Sequence, residues 1–385
     1  MPRDLQEIME IKQEIRDRLS QKLSKREMNE ALRDHHARRH PRPCGLTIHT
    51  GIGCPLRCTY CYIYDMGFGI TVKPYPLKPE QLVYALVSNP YFIPGHDGTL
   101  IALGSVTEPF LPQTKELTIG YIDAISTYLG NPIQFSTKMY MDKRNARRIA
   151  DLDPGISPLI TIITIKHRSK LEPYAPSPEL RFKTIENLAE AGLKPILFYR
   201  PIIPGIADKE HVDILMKAKH AGAIGVVAGG LRITENILRR LHEKGIPIDE
   251  IVRRSLQPIR GRKQVPIKTS DIKKNIMKTA TSLGMKYFLQ ACMANIYTHG
   301  AYCFRMVKEH IVSEPYRLPA PSEIRDILGE AGLELLDTRI AGYTLIVYAR
   351  GVCSKTKKFL LEELIKYKYR ICVSIKLEKT CFTLI

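Results

Sequence analysis

Short apolar runs alternate with longer amphipathic stretches through the middle of the chain. Six such runs lie between Gly45 and Gly230, namely Leu46–Thr50, Thr99–Leu103, Ile133–Ser136, Leu159–Ile165, Pro195–Tyr199 and Ile224–Ala228. Runs of this kind are typical of strands buried on both faces, and the stretches between them are long enough for crossover helices. We therefore predict an α/β fold of parallel strands joined by right-handed crossovers. Either a single doubly wound sheet or an incomplete (β/α) barrel fits this pattern, and a barrel would carry its active site at the carboxyl ends of the strands.

The two ends of the chain follow different patterns. Apolar positions in residues 1–36 recur near the helical period, which predicts a helix that docks on the rest of the protein. The last part predicts a small α+β unit with helix Pro321–Ala331, apolar run Tyr343–Tyr348, helix Lys355–Lys366, and strands Tyr369–Ile375 and Thr380–Ile385. We expect four regions: an N-terminal helical basic extension (1–44), a partial barrel (45–230), a basic helical extension (231–315) and a small α+β domain (316–385).

Composition and charge narrow the class of protein. The chain has 385 residues, of which 44% are hydrophobic and 25% charged, and this balance excludes a disordered chain, a collagen-like repeat and a disulfide miniprotein. The formal net charge is +19, from 58 Lys+Arg against 39 Asp+Glu. Much of the excess is clustered at residues 33–42, 253–278 and 355–379. The central block includes Arg253, Arg254, Arg260, Arg262, Lys263, Lys273 and Lys274. Such blocks indicate either a nucleic-acid partner or a solvated basic surface.

The sequence also predicts the cellular compartment of the protein. No apolar stretch approaches the roughly 20 residues needed to cross a bilayer, and the charged N-terminal stretch lacks the apolar core of a secretory signal. We therefore expect a cytoplasmic protein with no membrane partner and with reduced cysteines. In that compartment, clustered cysteines indicate a metal site or chemistry more than crosslinks.

Three cysteines form the most specific pattern. Cys54, Cys58 and Cys61 are spaced C-x3-C-x2-C directly after the first predicted strand. A [4Fe-4S] cluster usually takes four cysteines, so three would leave one iron open to a small molecule. A stripe of small core residues on a helix is one alternative and an incomplete zinc knuckle another. Pro55 and Arg57 argue against the helix, and no histidine at finger spacing completes a zinc site.

With Tyr60 before its last cysteine, the triplet resembles the signature of the radical S-adenosylmethionine (radical SAM) superfamily. Further segments resemble the spore photoproduct lyase-like branch: residues 58–62, 107–110, 136–138 and 172–178, then Arg181 and residues 201–205. The resemblance implies a partial (β/α)6 barrel of radical SAM type, with the three cysteines holding a [4Fe-4S] cluster. S-adenosylmethionine would bind the fourth iron, and an electron donor such as flavodoxin or ferredoxin would trigger its cleavage to a 5′-deoxyadenosyl radical.

The resemblance also assigns supporting residues. It pairs Lys138 with the methionine carboxylate, brings the amino end near Ser105, Thr107 and Glu108, and puts Arg181 near a carboxylate or substrate anion. By the same resemblance, Thr161 would contact the ribose, and the backbone at Pro204 and Gly205 would approach adenine. Tyr60 and Tyr62 would have a catalytic or pocket-lining role. Ordinary structural roles stay open: a solvated Lys138, a helix cap at Thr107–Pro109, a surface Arg181 and packing at Thr161.

One residue differs from the spore photoproduct lyase-like pattern, and the cysteines beyond the triplet remain to be explained. Ser105 stands where photoproduct lyases have a cysteine that returns a hydrogen atom, and because a serine O–H bond is much stronger than a thiol S–H bond, photoproduct repair is disfavoured. Cys292 and Cys303, with His299, would hold a second cluster, supply a hydrogen-donating thiol or simply pack. Cys44 precedes the first strand and is not expected to be a ligand.

These observations predict a radical SAM enzyme, of the lyase or transferase class, that modifies RNA or DNA. Two alternatives remain: the same chemistry on a small metabolite or peptide, and a non-enzymatic iron–sulfur module.

Overall fold

The computed structural model describes residues 4–42 and 44–378. Its α-helices are α1 (Leu5–Ser20), α2 (Lys25–Arg33), α3 (Pro79–Ser88), α4 (Lys115–Tyr128), α5 (Lys143–Leu152), α6 (Arg168–Leu171), α7 (Pro178–Glu190), α8 (Ala207–His220), α9 (Glu235–Glu243), α10 (Asp249–Arg253), α11 (Ser270–Ser282), α12 (Ala291–Thr298), α13 (Phe304–Lys308), α14 (Pro321–Gly329) and α15 (Lys355–Tyr369). Its strands are β1 (Gly45–Ile48), β2 (Gly51–Ile52), β3 (Lys73–Pro74), β4 (Leu100–Leu103), β5 (Ile133–Thr137), β6 (Ser157–Thr161), β7 (Ile196–Ile202), β8 (Gly225–Gly230), β9 (Arg232–Ile233), β10 (Val265–Pro266), β11 (Lys286–Phe288), β12 (Glu334–Ala341), β13 (Thr344–Arg350) and β14 (Cys372–Glu378).

A seven-stranded sheet forms the centre of the protein. Its order is β1-β4-β5-β6-β7-β8-β11, and every neighbouring pair is parallel. The α/β partial-barrel prediction is confirmed, and all six predicted strands are present with shifted ends. The seventh strand, β11, was missed because Lys286–Phe288 is too short to stand out as an apolar run.

One helix closes the interior of the barrel. Met293, Ala294 and Ile296 of α12 pack in one cluster with apolar side chains from five strands, namely Leu100, Leu159, Ile196, Val227 and Phe288. Asn295 donates from Nδ2 to the carbonyl oxygens of Ile101 at 3.4 Å and Pro132 at 3.3 Å. Because Leu100 and Ile196 begin their strands, α12 fills the amino end of the barrel and leaves the carboxyl end for a site.

The N-terminal region is two helices instead of the single predicted one. Ser24 and Glu27 form a reciprocal capping box that starts α2 after a break at residues 21–24. Helix α1 does dock as predicted: Ile15 and Leu19 join the barrel core, whereas Ile8 joins the core of the C-terminal unit. One helix therefore bridges the two parts of the protein.

The C-terminal unit is a three-stranded sheet, ordered β12-β13-β14, with helices α14 and α15. Strand β12 was missed because most of its side chains are exposed and its sequence is mixed. Helix α15 runs on to Tyr369, so β14 begins at Cys372, three residues later than expected. The predicted strand Thr380–Ile385 and Cys381 lie outside the described residues. Within residues 4–42 and 44–378, no helix combines the length and apolar character needed to span a membrane.

A buried lysine on α1 makes stability depend on pH. Lys12 is 8% exposed, and its Nζ donates to the carbonyl oxygens of Asn89 at 2.6 Å and Phe92 at 3.1 Å. Burial, together with the charge of Arg16, lowers its pKa to about 7. The unfolded chain, with a lysine pKa of about 10.4, therefore binds the extra proton between about pH 7 and 10.

We expect the free energy of unfolding to rise with pH across that window, because the unfolded state binds more protons than the folded state. The Lys12→Met variant should show a smaller rise, measured by urea unfolding from pH 7 to 10. Lys25→Met, which removes an exposed lysine at the start of α2, should keep the wild-type slope. Equal slopes in wild type and Lys12→Met would contradict the assignment.

Candidate active site

The cysteine triplet lies in an irregular loop that follows β2. Gly53 has φ 85° and Arg57 has φ 47°, both in the left-handed region. A Cβ on Gly53 would lie 2.3 Å from the Thr71 carbonyl oxygen, so glycine is required there. The loop is held by bonds such as Cys54 N–H to Gly69 O at 3.1 Å and Cys61 N–H to Cys58 O at 3.0 Å. Since residues 54–61 are not helical, a helical stripe of core cysteines is excluded.

The three thiols line one small cavity of about 100 Å³, which we call the cysteine-loop cavity. Burial raises the pKa of Cys54 to about 11 and of Cys58 to about 12. Thiols in such surroundings stay protonated until a metal displaces the proton. One buried and two half-buried cysteines that face one cavity fit the three-cysteine ligand set of a [4Fe-4S] cluster with one open iron.

Helix α9 braces this loop, a feature that sequence reasoning missed. Arg240 donates to the carbonyl oxygens of Thr59 at 3.0 Å and Cys61 at 2.8 Å. Asp65 accepts from the Thr234 hydroxyl at 2.8 Å and the Asn236 amide at 2.7 Å. A bond from a helix almost 180 residues away leaves no local pattern, although the Thr234 N-cap itself follows the usual capping rule.

A buried ion pair stands behind the cysteines. The Glu172 carboxylate and the Arg181 guanidinium are both 0% exposed and are hydrogen-bonded to each other. Tyr60 donates its hydroxyl to the other Glu172 oxygen. Burial opposes ionisation of Glu172, but Arg181 and Lys138 outweigh it and lower the pKa of its carboxyl group. Burial raises the pKa of Tyr60 well above its usual value, so Tyr60 stays a neutral hydrogen-bond donor.

Lys138 and Arg181 differ in their contacts with the cysteine-loop cavity. Lys138 Nζ lies 3.9 Å from Glu172 Oε1 and lines the cysteine-loop cavity, so a solvated lysine is the wrong description. Burial lowers its pKa, but Cys58 and Glu172 more than compensate and raise it overall. Arg181 instead donates to the carbonyl oxygens of Pro176 and Thr161 as well as to Glu172. It is not a surface arginine, and its contacts favour a positioning role; direct contact with a carboxylate or substrate anion stays a prediction.

The residues after β4 are also brought to the cysteines. Ser105, Thr107 and Glu108 all line the cysteine-loop cavity. The Glu108 carboxylate accepts from the Lys138 backbone N–H at 2.9 Å and from the Thr137 hydroxyl, and burial raises its pKa. Thr107 donates its hydroxyl to Gly53 O. Helix α4 begins only at Lys115, so the helix-cap alternative for Thr107 is wrong.

A second cavity of about 340 Å³ adjoins the first, and we call it the central cavity. The predicted residues that line it are Tyr60, Cys61, Tyr62, Ser105, Lys138 and Thr161, together with Pro201 from the predicted turn. Pro204 and Gly205 are not brought to either cavity. Gly205 instead donates its N–H to Asp208 at 2.6 Å, within a turn that leads into α8.

Comparison with known proteins agrees with this geometry. Residues 48–218 match the family model described as the Radical SAM superfamily. A cysteine-to-serine variant of spore photoproduct lyase has a TM-score of 0.52 and 16% identity, covering 65% of this chain and 77% of its own. The same enzyme complexed with dinucleoside spore photoproduct gives 0.52 and 16%, covering 68% and 83%. A double variant with bound S-adenosylmethionine and the dinucleoside gives 0.51 and 15%, covering 68% and 83%. No curated protein sequence matches the chain.

The chain therefore carries a radical SAM domain in an α/β fold shared with spore photoproduct lyase, and the predicted resemblance is confirmed. The radical SAM domain identifies the chain as an enzyme, and the cofactors of that superfamily are the [4Fe-4S] cluster and S-adenosylmethionine.

The buried ion pair should be essential for stability. In Glu172→Ala, Arg181 loses its carboxylate and stays buried with an unpaired charge, so we expect a loss of about 3–5 kcal/mol in the free energy of unfolding. Glu179→Ala, at an exposed position in the first turn of α7, should change it by less than about 1 kcal/mol, the range of a carboxylate at a helix N-terminus. Denaturant unfolding measures both variants, and a Glu172→Ala effect as small as that of the control would refute this role.

Proposed function

We propose that this enzyme uses radical chemistry on a nucleic acid, either RNA or DNA. The observation that carries the proposal is the charge of the barrel interior. A cavity of about 760 Å³, which we call the lumen cavity, is lined by Arg42, Arg200, Arg232 and Lys273. None of the described residues that line it is Asp or Glu. Four cations without a carboxylate partner in the wall are suited to a substrate that brings phosphates.

The lumen cavity is continuous with the site of the cofactors. Arg200 and Arg232 line both the lumen cavity and the central cavity, as do Gln134 and Thr47. Gln134 Oε1 is buried without a hydrogen-bond partner among the described residues, so it offers an acceptor to a substrate donor. Burial lowers the pKa of Lys273, and the like charge of the neighbouring Arg200 lowers it further.

The basic residues outside the lumen cavity differ in whether they are free to bind phosphates. Arg260, Arg262 and Lys263 are exposed and have no ion pair within 4 Å among the described residues. They lie in the segment before β10, which pairs with β9 at Arg232. This placement supports a path for a phosphate chain from the surface loop to the lumen.

Other members of the central block contribute less. Arg253 pairs with Glu250, and Arg254 pairs with Glu250 and Asp271 at 2.6 Å and 2.7 Å. Lys274 is exposed on α11, whereas its neighbour Lys273 faces the lumen. We therefore assign phosphate contacts to Arg260, Arg262, Lys263, Lys273 and Lys274 ahead of the two paired arginines.

The residues of the site have separable tasks. Cys54, Cys58 and Cys61 hold the cluster, while Lys138 offers a cation to the carboxylate of S-adenosylmethionine and Glu108 a carboxylate to its amino group. When bound and reduced by a donor such as flavodoxin or ferredoxin, these cofactors supply a 5′-deoxyadenosyl radical that removes a hydrogen atom from the substrate. Tyr62, whose hydroxyl donates to Ser105 O at 3.4 Å, lines the wall between cofactor and substrate.

The fold relatives support the substrate class but not the particular reaction. Spore photoproduct lyase has been solved with a dinucleoside photoproduct. Ser105 lines the central cavity and its hydroxyl lies 3.5 Å from His49 Nδ1, and a serine hydroxyl does not return hydrogen atoms readily. We propose a nucleic-acid modification other than photoproduct reversal.

Removing lumen cations should weaken nucleic-acid binding in a salt-dependent manner. For the Arg42→Ala and Lys273→Ala variants we expect the slope of log K against log salt to fall by about one unit each, measured by fluorescence anisotropy with single-stranded RNA and DNA. Arg26→Ala, on α2 and paired with Glu30, is the matched control and should keep the wild-type slope. If the wild-type protein binds neither polymer at low salt, the substrate is a metabolite or peptide instead.

Cofactor cleavage should depend on the cysteine triplet. The Cys54→Ala/Cys58→Ala/Cys61→Ala variant, reconstituted anaerobically and reduced, should form no 5′-deoxyadenosine by chromatography, because the open iron is lost. Cys353→Ser, which changes a half-buried cysteine in the C-terminal unit, should retain wild-type cleavage. Cleavage by the triple variant would refute the assignment of the cluster.

A further inference from the structure

Four cysteines that are far apart in sequence converge on one cavity. Cys44, Cys292, Cys303 and Cys372 all line a cavity of about 300 Å³, which we call the four-cysteine cavity. Cys44 immediately precedes β1, Cys292 lies in the first turn of α12, Cys303 is the N-cap of α13 and Cys372 begins β14. The cavity therefore lies where the barrel, its closing helix and the C-terminal unit meet.

The thiols are close to one another but do not form a tight set. Cys44 lies within interaction distance of Cys292 and Cys372, and Cys303 lies near Cys372. Among the described residues, three ligand atoms mutually within 4.8 Å occur only at Asp34, His35 and His36. A four-thiolate zinc site needs sulfurs about 3.8 Å apart, given Zn–S bonds of about 2.3 Å. Although Cys44 is within hydrogen-bond reach of Cys292 and Cys372, no three of these sulfurs are mutually within 4.8 Å, which is also true of Cys54, Cys58 and Cys61. Such a set suits a cluster, whose ligands bind different irons, better than a single ion.

Cations line the cavity and oppose the rise in the pKa of Cys44 and Cys372 that the hydrogen bonds between the thiols, and then burial, cause. Arg305, Lys366 and Arg370 line it, and no Asp or Glu is among its described lining residues. Thiolate is the form of cysteine that binds metal, and nearby cations stabilise it. A cluster held by four thiolates is an anionic group, which these cations complement, although Lys366 and Arg370 also pair with Glu363 and Asp97.

Packing accounts for only part of this arrangement, because Cys44, Cys292 and Cys303 lie against the apolar cluster around α12 but also border an open cavity. Cys372 is exposed and the other three are half-buried, whereas packing cysteines are small core residues that leave no open space. His299, the other predicted ligand, is elsewhere: its Nε2 faces Asp153 at 3.3 Å and the Ile133 N–H at 3.3 Å. Cys44, which the sequence does not predict as a ligand, lies with Cys292 in the lining of this cavity.

We propose that Cys44, Cys292, Cys303 and Cys372 hold a second iron–sulfur cluster, of the [4Fe-4S] type. Its position relative to the first cluster is informative. The four-cysteine cavity shares Cys44 and Cys292 with the lumen cavity, which in turn shares Arg200 and Arg232 with the central cavity. The substrate space therefore lies between the two cysteine sets. This assignment does not depend on whether the substrate is a nucleic acid.

Iron and sulfide analysis of the full-length protein tests the proposal. After anaerobic reconstitution we expect about eight irons and eight sulfides per chain, twice the content of one [4Fe-4S] cluster. The Cys54→Ala/Cys58→Ala/Cys61→Ala variant should keep about four irons and a Mössbauer or electron paramagnetic resonance signal, yet form no 5′-deoxyadenosine. Cys353→Ser is the matched control and should retain about eight irons.

The complementary variant replaces Cys44, Cys292, Cys303 and Cys372 with serine. It should retain about four irons and a spectrum that still responds to S-adenosylmethionine. If this variant does not fold, the triplet variant alone decides, because it leaves the four-cysteine cavity intact. About four irons in the wild type, none in the triplet variant, stoichiometric zinc, or a disulfide between these cysteines would each overturn the proposal. None of these outcomes bears on nucleic-acid binding, which the salt titration measures separately.

Discussion

The buried pair of Glu172 and Arg181 ties together the cysteine loop and the ends of two neighbouring strands. Through Tyr60 it holds the cysteine loop, through the Thr161 carbonyl it holds the end of β6, and through Lys138 it reaches the end of β5. A charged pair without solvent is tolerated only when each group is fully hydrogen-bonded, so this contact constrains the loop to one geometry. The cluster cysteines thus depend on residues more than a hundred positions away.

Much of the fold followed from local pattern, because buried parallel strands leave continuous apolar runs. The runs around β1, β4, β5, β6, β7 and β8 are of that kind. Strand β11 is only three residues long and β12 is largely exposed, so neither has the pattern that buried strands produce. The capping box of Ser24 and Glu27 indicates the break between α1 and α2. The apolar positions on both sides of it nevertheless follow one helical period, which predicted a single helix.

The site was predictable only where chemistry and spacing coincide. The triplet follows from three cysteines within one loop, and Lys138 and Glu108 from their places after strands. Arg240 and the Glu172–Arg181 pair were not assigned to their roles, because a long-range hydrogen bond leaves no mark on the sequence around its donor. The four-cysteine cavity was not predictable for the same reason. Cys44 and Cys372 lie on opposite sides of the barrel in the sequence, although the fold brings both to one cavity.

Helix α1 sets a limit on how the enzyme opens. Its Ile8 is buried in the C-terminal core while Ile15 and Leu19 are buried in the barrel core. Swinging the two units apart would expose apolar surface on this helix and break the bond from Tyr367 to Cys44 O. A separation of the two units is therefore costly, so the interior is best reached from the side of the lumen cavity, where the segment before β10 is exposed.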